Sequence, residues 1–406
     1  MSEPLGRNRD FTLFWLGQTL SALGDAISII AVPLLVLEAT GSLTMMGMVT
    51  ASVGLGSLAA GIYGGPLVDR VDRRKLMIRT DWARFVLFLL VPLLWPLLDH
   101  AMWFIFVVSI VAAAMGMLFG IAYITAVPNL VDRGQLTEAN GRLGASHAFA
   151  FAIGPVIAGF VVEQFGAAIA IGLDGFTFLI SALTLSMLRL RQASATRPEG
   201  EREDRREELL AGVRFLFGSS TFRWITFITA VVVFTYAGVN DLIIFQVKEN
   251  LGEPDRTVGI MYGIASLGSV ASGLSIARLR RRFGFGACYV AGTLVFGVSV
   301  LVLGLVPTIP VMTVMMTIGT FGEALRGTLT MTLRQELTPD HLLGRVTAAF
   351  WTVFTVPGPV GALVLTQLAH LYGVPRILEI VGVVLIALGG VVLLSPVATR
   401  QPALVK

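Results

Sequence analysis

Long apolar runs, cut by short charged segments, leave this chain few ways to fold. Phe11 to Leu37 holds one charge, Asp25, while Trp103 to Val131 and Ala287 to Gly322 hold none. About 20 apolar residues in a helix span a hydrocarbon core of roughly 30 Å. Only 14% of the residues are charged, against about 25% in a soluble globular domain, so most of the outer surface is not built for water. The first run exceeds the roughly 7–15 residues of a signal-peptide core, and no small-residue cleavage site follows it. It therefore reads as helix 1 behind a flank carrying Arg7 and Arg9.

The periodicity predicts twelve spans, at 11–37, 43–67, 79–98, 101–127, 143–163, 168–188, 222–246, 257–277, 286–306, 310–333, 346–369 and 376–396. The expected fold is an all-α membrane protein of two pseudo-symmetric six-helix bundles. Residues 1–188 form the first bundle and 222–406 the second, with a cytoplasmic linker at 189–221. That linker opens with a mixed-charge run around Arg205. Leu209, Leu210, Val213, Phe215 and Leu216 then make a stripe suited to an amphipathic helix on the membrane surface. With both termini placed in the cytoplasm, only Lys248, Arg256 and Arg376 of the 30 basic residues fall in outer loops, and Arg84 and Arg326 fall within spans. This is the bias expected of positive-inside topology. It also accounts for the net charge of +4 without nucleic acid.

The halves repeat. Gly65 to Arg70 after span 2 corresponds to Gly273 to Arg278 after span 8, an offset of 273 minus 65, or 208. Gly154-Pro155 and Gly358-Pro359 are separated by 358 minus 154, or 204. Gly141-Arg142 and Gly344-Arg345 are separated by 344 minus 141, or 203. Three landmarks with nearly one offset indicate duplication, and duplicated bundles suit alternating access around a midplane site.

Gly65-Pro-Leu-Val-Asp-Arg-Val-Asp-Arg-Arg-Lys75 resembles the loop between helices 2 and 3 of the major facilitator superfamily, with Asp72 where that pattern has glycine. Asn8-Arg-Asp-Phe11, Gly24-Asp25, Thr40-Gly-Ser42, Leu136-Thr-Glu-Ala-Asn140, Glu208-Leu-Leu-Ala-Gly212 and Leu343-Gly-Arg-Val346 resemble the branch of macrolide and enterobactin exporters. The resemblance implies a bacterial inner-membrane carrier, acting as a monomer, that exports an amphiphilic drug, macrolide-like metabolite or siderophore against protons. A flippase or importer of a lysophospholipid-like amphiphile, and a non-transporting membrane receptor, remain the alternatives on the same fold.

The resemblance gives Gly65, Asp69, Arg70, Arg73 and Arg74 a gating role, with the Asp69 carboxylate facing the positive end of span 11 near Leu343. The plainer reading of these arginines is topology and headgroup anchoring. Gly154, Pro155 and Gly159 partly match the span-5 motif of exporters; small residues there let helices approach closely, and packing against span 8 would control which states are reached.

Charges within spans cost about 2.5–3.5 kcal/mol each on insertion scales, which marks them as functional candidates. Asp81/Arg84 and Glu323/Arg326 stand at i,i+3, the spacing of intrahelical ion pairs. Asp25 has no basic neighbour at helical spacing, which suits proton coupling or substrate contact; a helix-packing hydrogen bond is the alternative. Asp241, beside Asn240 in span 7, joins Asp25, Glu323 and Arg326 as a coupling or substrate candidate. Gln18, Tyr123, Tyr236 and Asn240 are cavity candidates among apolar and methionine-rich surroundings. Span 4 lacks the arginine common in drug/proton antiporters, so coupling, if present, must use another residue.

His100 and His370 are expected in outer loops, and His147 and His341 toward the inner side, with no metal-ligand spacing. The single cysteine, Cys288, forms no disulfide framework. No lysine precedes Ser or Thr in a phosphate-loop pattern, and no G-x-S-x-G occurs. Neither ATP drive nor catalysis is expected, and no cofactor beyond a proton gradient.

Overall fold

The computed structural model describes residues 5–188, 214–339 and 355–402, with Leu342, Val346, Ala349 and Phe350 between the last two segments. Among the described residues the chain is helical and contains no strand. The first helices are α1 (Arg9–Thr40), α2 (Leu43–Arg70), α3 (Arg73–Leu94), α4 (Met102–Ala126), α5 (Leu136–Phe165) and α6 (Ala167–Met187). After residue 214 come α7 (Ser220–Phe245), α8 (Asp255–Phe283), α9 (Phe285–Leu305), α10 (Ile309–Leu337), α11 (Pro357–Tyr372) and α12 (Val374–Leu393). Local chemistry sets the ends: the Asn8 side chain accepts a hydrogen bond from the Phe11 amide at the start of α1, and Asp72 does the same for Lys75 at the start of α3.

Nine of the described helices are long and apolar enough to cross a membrane. Helices α3 and α10 fall outside that group because they carry charge: Arg73, Arg74, Lys75, Arg79, Asp81 and Arg84 in one, Glu323, Arg326, Arg334 and Glu336 in the other. The surface is reversed relative to a water-soluble protein. Leu97, Leu274 and Leu394 are 79%, 80% and 87% exposed, while Asp81, Asp174, Ser181 and Arg326 are buried. A surface of exposed Leu, Ile and Phe along whole helices suits hydrocarbon.

The described chain divides into two compact units. One comprises residues 1–197 with 253–263, the opening of α8; the other comprises 198–252 with 264–406. In the first unit α1 packs on α5 and α6, α3 on α4 and α6, and α2 on α4. In the second, α9 packs on α10 and α12, and α7 on α11. Pairs related by six places in the helix order thus recur: α3–α6 with α9–α12, α1–α5 with α7–α11, and α3–α4 with α9–α10.

Small residues set these approaches. On α1, Gly17, Ser21, Gly24 and Ser28 recur at helical spacing and are buried. Opposite them on α6 stand Asp174, Thr177, Ser181 and Thr184. A Cβ at Gly56 would fall onto the Ile110 carbonyl, joining α2 to α4, and one at Gly361 onto the Phe234 carbonyl, joining α11 to α7. Gly56→Val and Gly361→Val are each expected to cost about 1–3 kcal/mol by overpacking. Thermal unfolding in detergent measures this, and a melting temperature equal to wild type for both would show that the helices separate at no cost.

The helix that carries span 5 starts at Leu136, seven residues before the predicted span, and His147 lies in its second third. Most of the linker, including the mixed-charge run, lies outside the described residues.

Candidate functional site

Each unit contains a cavity lined by an arginine or carboxylate that the sequence places within a span. In the first unit the cavity measures about 240 Å³, and its lining includes Gln18, Asp25, Arg84, Tyr123, Ser146 and His147. Asp25 comes from α1 and Arg84 from α3; Arg84 Nη1 lies 3.9 Å from Asp25 Oδ1. That is an ion-pair distance but too long for a hydrogen bond. On its own helix Arg84 Nη2 lies 3.4 Å from Asp81 Oδ1. The guanidinium is stacked 3.6 Å from the Phe178 ring centroid, a cation–π contact that holds it flat against α6.

Asp25 therefore has a basic partner that helical spacing did not reveal. Arg84 belongs to α3, and span 4 itself carries no arginine. It reaches across to α4, where a Cβ on Gly116 would stand 3.3 Å from Nη1. Glycine in α4 is what leaves room for the guanidinium.

A further carboxylate stands beside this group. Asp174 on α6 is fully buried. Ser28 Oγ donates to its Oδ2 at 2.5 Å, and Thr177 Oγ1 lies 3.0 Å from its Oδ1. Asp25 and Arg84 both act on it electrostatically. The sequence carried the signal, since Asp174 is a charge inside span 6. Its structural role is invisible there because its partners come from α1. His147, expected away from the site, lines the cavity, acts electrostatically on Asp25 and stacks on Phe151 with centroids 4.5 Å apart. Gln18 Nε2 donates to Ser181 Oγ at 2.9 Å, which fixes one wall.

In the second unit a cavity of about 310 Å³ is lined by Tyr236, Ser269, Thr320, Glu323, Ala324 and Gly327, among others. Glu323 and Arg326 form a two-point pair, with Nη2 to Oε1 at 2.7 Å and Nε to Oε2 at 3.0 Å. Arg326 is 2% exposed, and its Nη1 donates to Thr229 Oγ1 on α7 at 3.2 Å. A planar fork on a carboxylate with a third donor on a hydroxyl leaves little of the guanidinium unsatisfied. Tyr236 lines this cavity, and Asn240 Nδ2 donates to its carbonyl at 3.2 Å. Asp241 is buried in α7 and does not line the cavity.

The span-5 motif makes close backbone contacts. A Cβ on Gly154 would stand 2.5 Å from that of Ala26 on α1. Pro155 and Gly159 lie against Gly259 at the opening of α8, where the Cα atoms of Gly159 and Gly259 leave no room for a side chain. Of the loop motif, Arg74 is bound within its own unit: its guanidinium donates to the Leu185 carbonyl at 2.8 Å and to that of Ser186, at the end of α6. The side chains of Gly65, Asp69 and Arg70, and the segment 343–345, lie outside the described residues.

Comparisons with known proteins agree on one family. The sequence profile described as Major Facilitator Superfamily matches residues 14–362. The chain is 24% identical over 383 residues to the multidrug efflux pump Tap of Mycolicibacterium fortuitum, covering 92% of each chain. It is 24% identical over 392 residues to the enterobactin exporter EntS of Escherichia coli, covering 96% of this chain and 92% of EntS. Among solved structures it resembles a bacterial homologue of the iron transporter ferroportin, with a TM-score of 0.72 at 18% identity over 94% of this chain and 98% of that one. It also resembles the nucleoside transporter NupG, with a TM-score of 0.79 at 11% identity over 95% and 99%. At those identities the likeness concerns the fold alone. The profile match extends from α1 into α11, across both repeats, and the chain belongs to the Major Facilitator Superfamily.

Proposed function

We propose that this membrane transporter is a secondary active exporter of an amphiphilic small molecule, driven by protons through alternating access. It crosses the bacterial inner membrane twelve times with both termini in the cytoplasm, as two six-helix bundles, and works as a monomer with no cofactor. The observation that carries the reading is Asp25: a carboxylate in the middle of a membrane helix, facing a cavity and 3.9 Å from a cation that does not bond it. An acid placed in that way can gain or lose a proton without dismantling the helix around it. The Glu323–Arg326 pair and Tyr236 form the wall that meets the polar part of the substrate. Ser269, Thr320, Ala324, Gly327 and Thr328 complete that wall with small side chains that leave room for the rest of the substrate.

Support for export, as against import, comes from overall similarity to two proteins named for efflux and siderophore export. Drugs, macrolide-like metabolites and siderophores fit the proposed substrate class. A resistance and accumulation screen in an efflux-deficient host identifies the compound, and substrate-dependent proton release from proteoliposomes then tests the coupling. Transport that ignores an imposed pH gradient would refute proton drive, and no accumulation change for any amphiphile would refute export.

A further inference from the structure

The two repeats solve the same packing problem with the arginine on opposite helices. In the first unit Arg84 comes from α3 and lies over Gly116 of α4. The offset of 208 that relates Gly65 to Gly273 takes Arg84 to Gly292 on α9. In the second unit Gly292 stands against α10: a Cβ there would come 2.8 Å from the Gly322 carbonyl oxygen and 3.4 Å, an ordinary contact, from Cβ of Arg326. Each arginine has a carboxylate three residues before it, Asp81 or Glu323. Each also faces a polar side chain from the first helix of its own unit. Asp25 and Thr229 are these residues, each opposite the guanidinium of its own unit.

The correspondence exposes an asymmetry. The second unit sets one carboxylate against one guanidinium, with a neutral threonine as third partner. Tyr236 and Tyr289 are the other titratable side chains acting there, on Glu323 and Arg326 respectively. The first unit sets Asp25, Asp81 and Asp174 against Arg84 alone, with His147 of α5 the remaining titratable group acting on Asp25. Among the described residues Asp174 is hydrogen-bonded by hydroxyl groups, and Arg84 acts on it only through its field. Asp81 is fully buried; Arg84 and the Ser181 hydroxyl act on its carboxylate, and its Oδ2 has no partner within hydrogen-bond geometry among the described residues. An ionised oxygen left without a donor is a costly state for a buried carboxylate. Adding a proton is the simplest way to restore neutrality.

We propose that Asp25, Asp81 and Asp174 around Arg84 form one proton-holding site in the first unit, and that the Glu323–Arg326 pair is a fixed, charge-balanced ion pair. The protons are shared by the cluster and do not belong to one residue. Asp174 acts here as a store behind Asp25, which faces the cavity. That the stored proton drives transport rests on the exporter reading above; that it is held does not.

The test uses the full chain in lipid nanodiscs, without substrate. Infrared spectroscopy in water and deuterium oxide reports the carboxylic-acid carbonyl stretch at neutral pH. Wild type is expected to show that band. Asp25→Asn and Asp174→Asn are each expected to weaken it and to reduce by about one the protons released on alkaline titration. The double variant Glu323→Gln/Arg326→Met is expected to keep it. Should Asp174→Asn not fold, Ser28→Ala removes the hydroxyl on Asp174 and is expected to shift the band frequency. A wild-type protein with no such band, a band lost with the Glu323/Arg326 pair, or a band untouched by both Asp174→Asn and Ser28→Ala would each overturn the proposal. None of these results depends on the substrate screen, so the exporter reading stands or falls separately.

Discussion

Glu323→Gln is expected to cost the folded protein about 3–5 kcal/mol, whereas Glu323→Gln combined with Arg326→Met is expected to cost far less. The asymmetry follows from where the two charges sit. Arg326 is 2% exposed and spends two of its three donor directions on Glu323 and the third on Thr229. Glutamine in place of Glu323 keeps one acceptor but removes the countercharge, so an ionised guanidinium is left buried with only neutral partners close to it. Its proton is bound too tightly for deprotonation to relieve this. Methionine in place of Arg326 fills similar space with a flexible apolar chain, and the desolvation cost disappears with the charge. Thr229 keeps its hydroxyl near α7 and loses only one long hydrogen bond of 3.2 Å. Thermal unfolding monitored by size-exclusion fluorescence separates the two variants. A single variant as stable as wild type would mean that Arg326 finds another anion, and the pair would then not be the fixed element described above.

The sequence reveals the two intrahelical pairs completely, because i,i+3 spacing is a property of one helix: Asp81 meets Arg84 and Glu323 meets Arg326 as the spacing requires. It is silent on partners that cross between helices. Nothing in the residues around Asp25 predicts Arg84, since that contact depends on the α3–α4 approach over Gly116 and on the Phe178 ring that aims the guanidinium. Asp174 is the opposite case: a charge inside a predicted span is readable by inspection, but its meaning depends on Ser28, which is 146 residues away. His147 is not among the cavity candidates read from the sequence, because its approach to Asp25 depends on how α5 packs on α1 and not on its spacing within α5. Hydropathy also undervalues the helices that matter most. Helices α3 and α10 supply both arginines, and the same charges keep them out of the nine apolar spans.

Asp25→Asn is expected to leave the protein folded and inserted while abolishing efflux driven by a pH gradient. Asparagine is nearly isosteric with aspartate and still offers Arg84 an oxygen across the 3.9 Å gap. That gap exceeds hydrogen-bond length, so the substitution removes no strong bond. Asp25 is half-buried and lines the cavity, so the amide replaces a group already in contact with the cavity interior. What the amide cannot do is carry a proton. If Asp25 is the cavity-facing member of the acid cluster, the two access states of the variant exchange without coupling to the gradient. Downhill flux of substrate then persists while uphill flux falls to background, a separation that a merely structural role would not produce. The measurement is substrate flux in proteoliposomes, with and without an imposed pH gradient, at matched protein content. Loss of both fluxes would make Asp25 a substrate-binding or packing residue. Retention of gradient-driven accumulation would remove Asp25 from the coupling path and pass that role to Asp81 or Asp174, whose carboxylates share the same arginine's field but do not line the cavity.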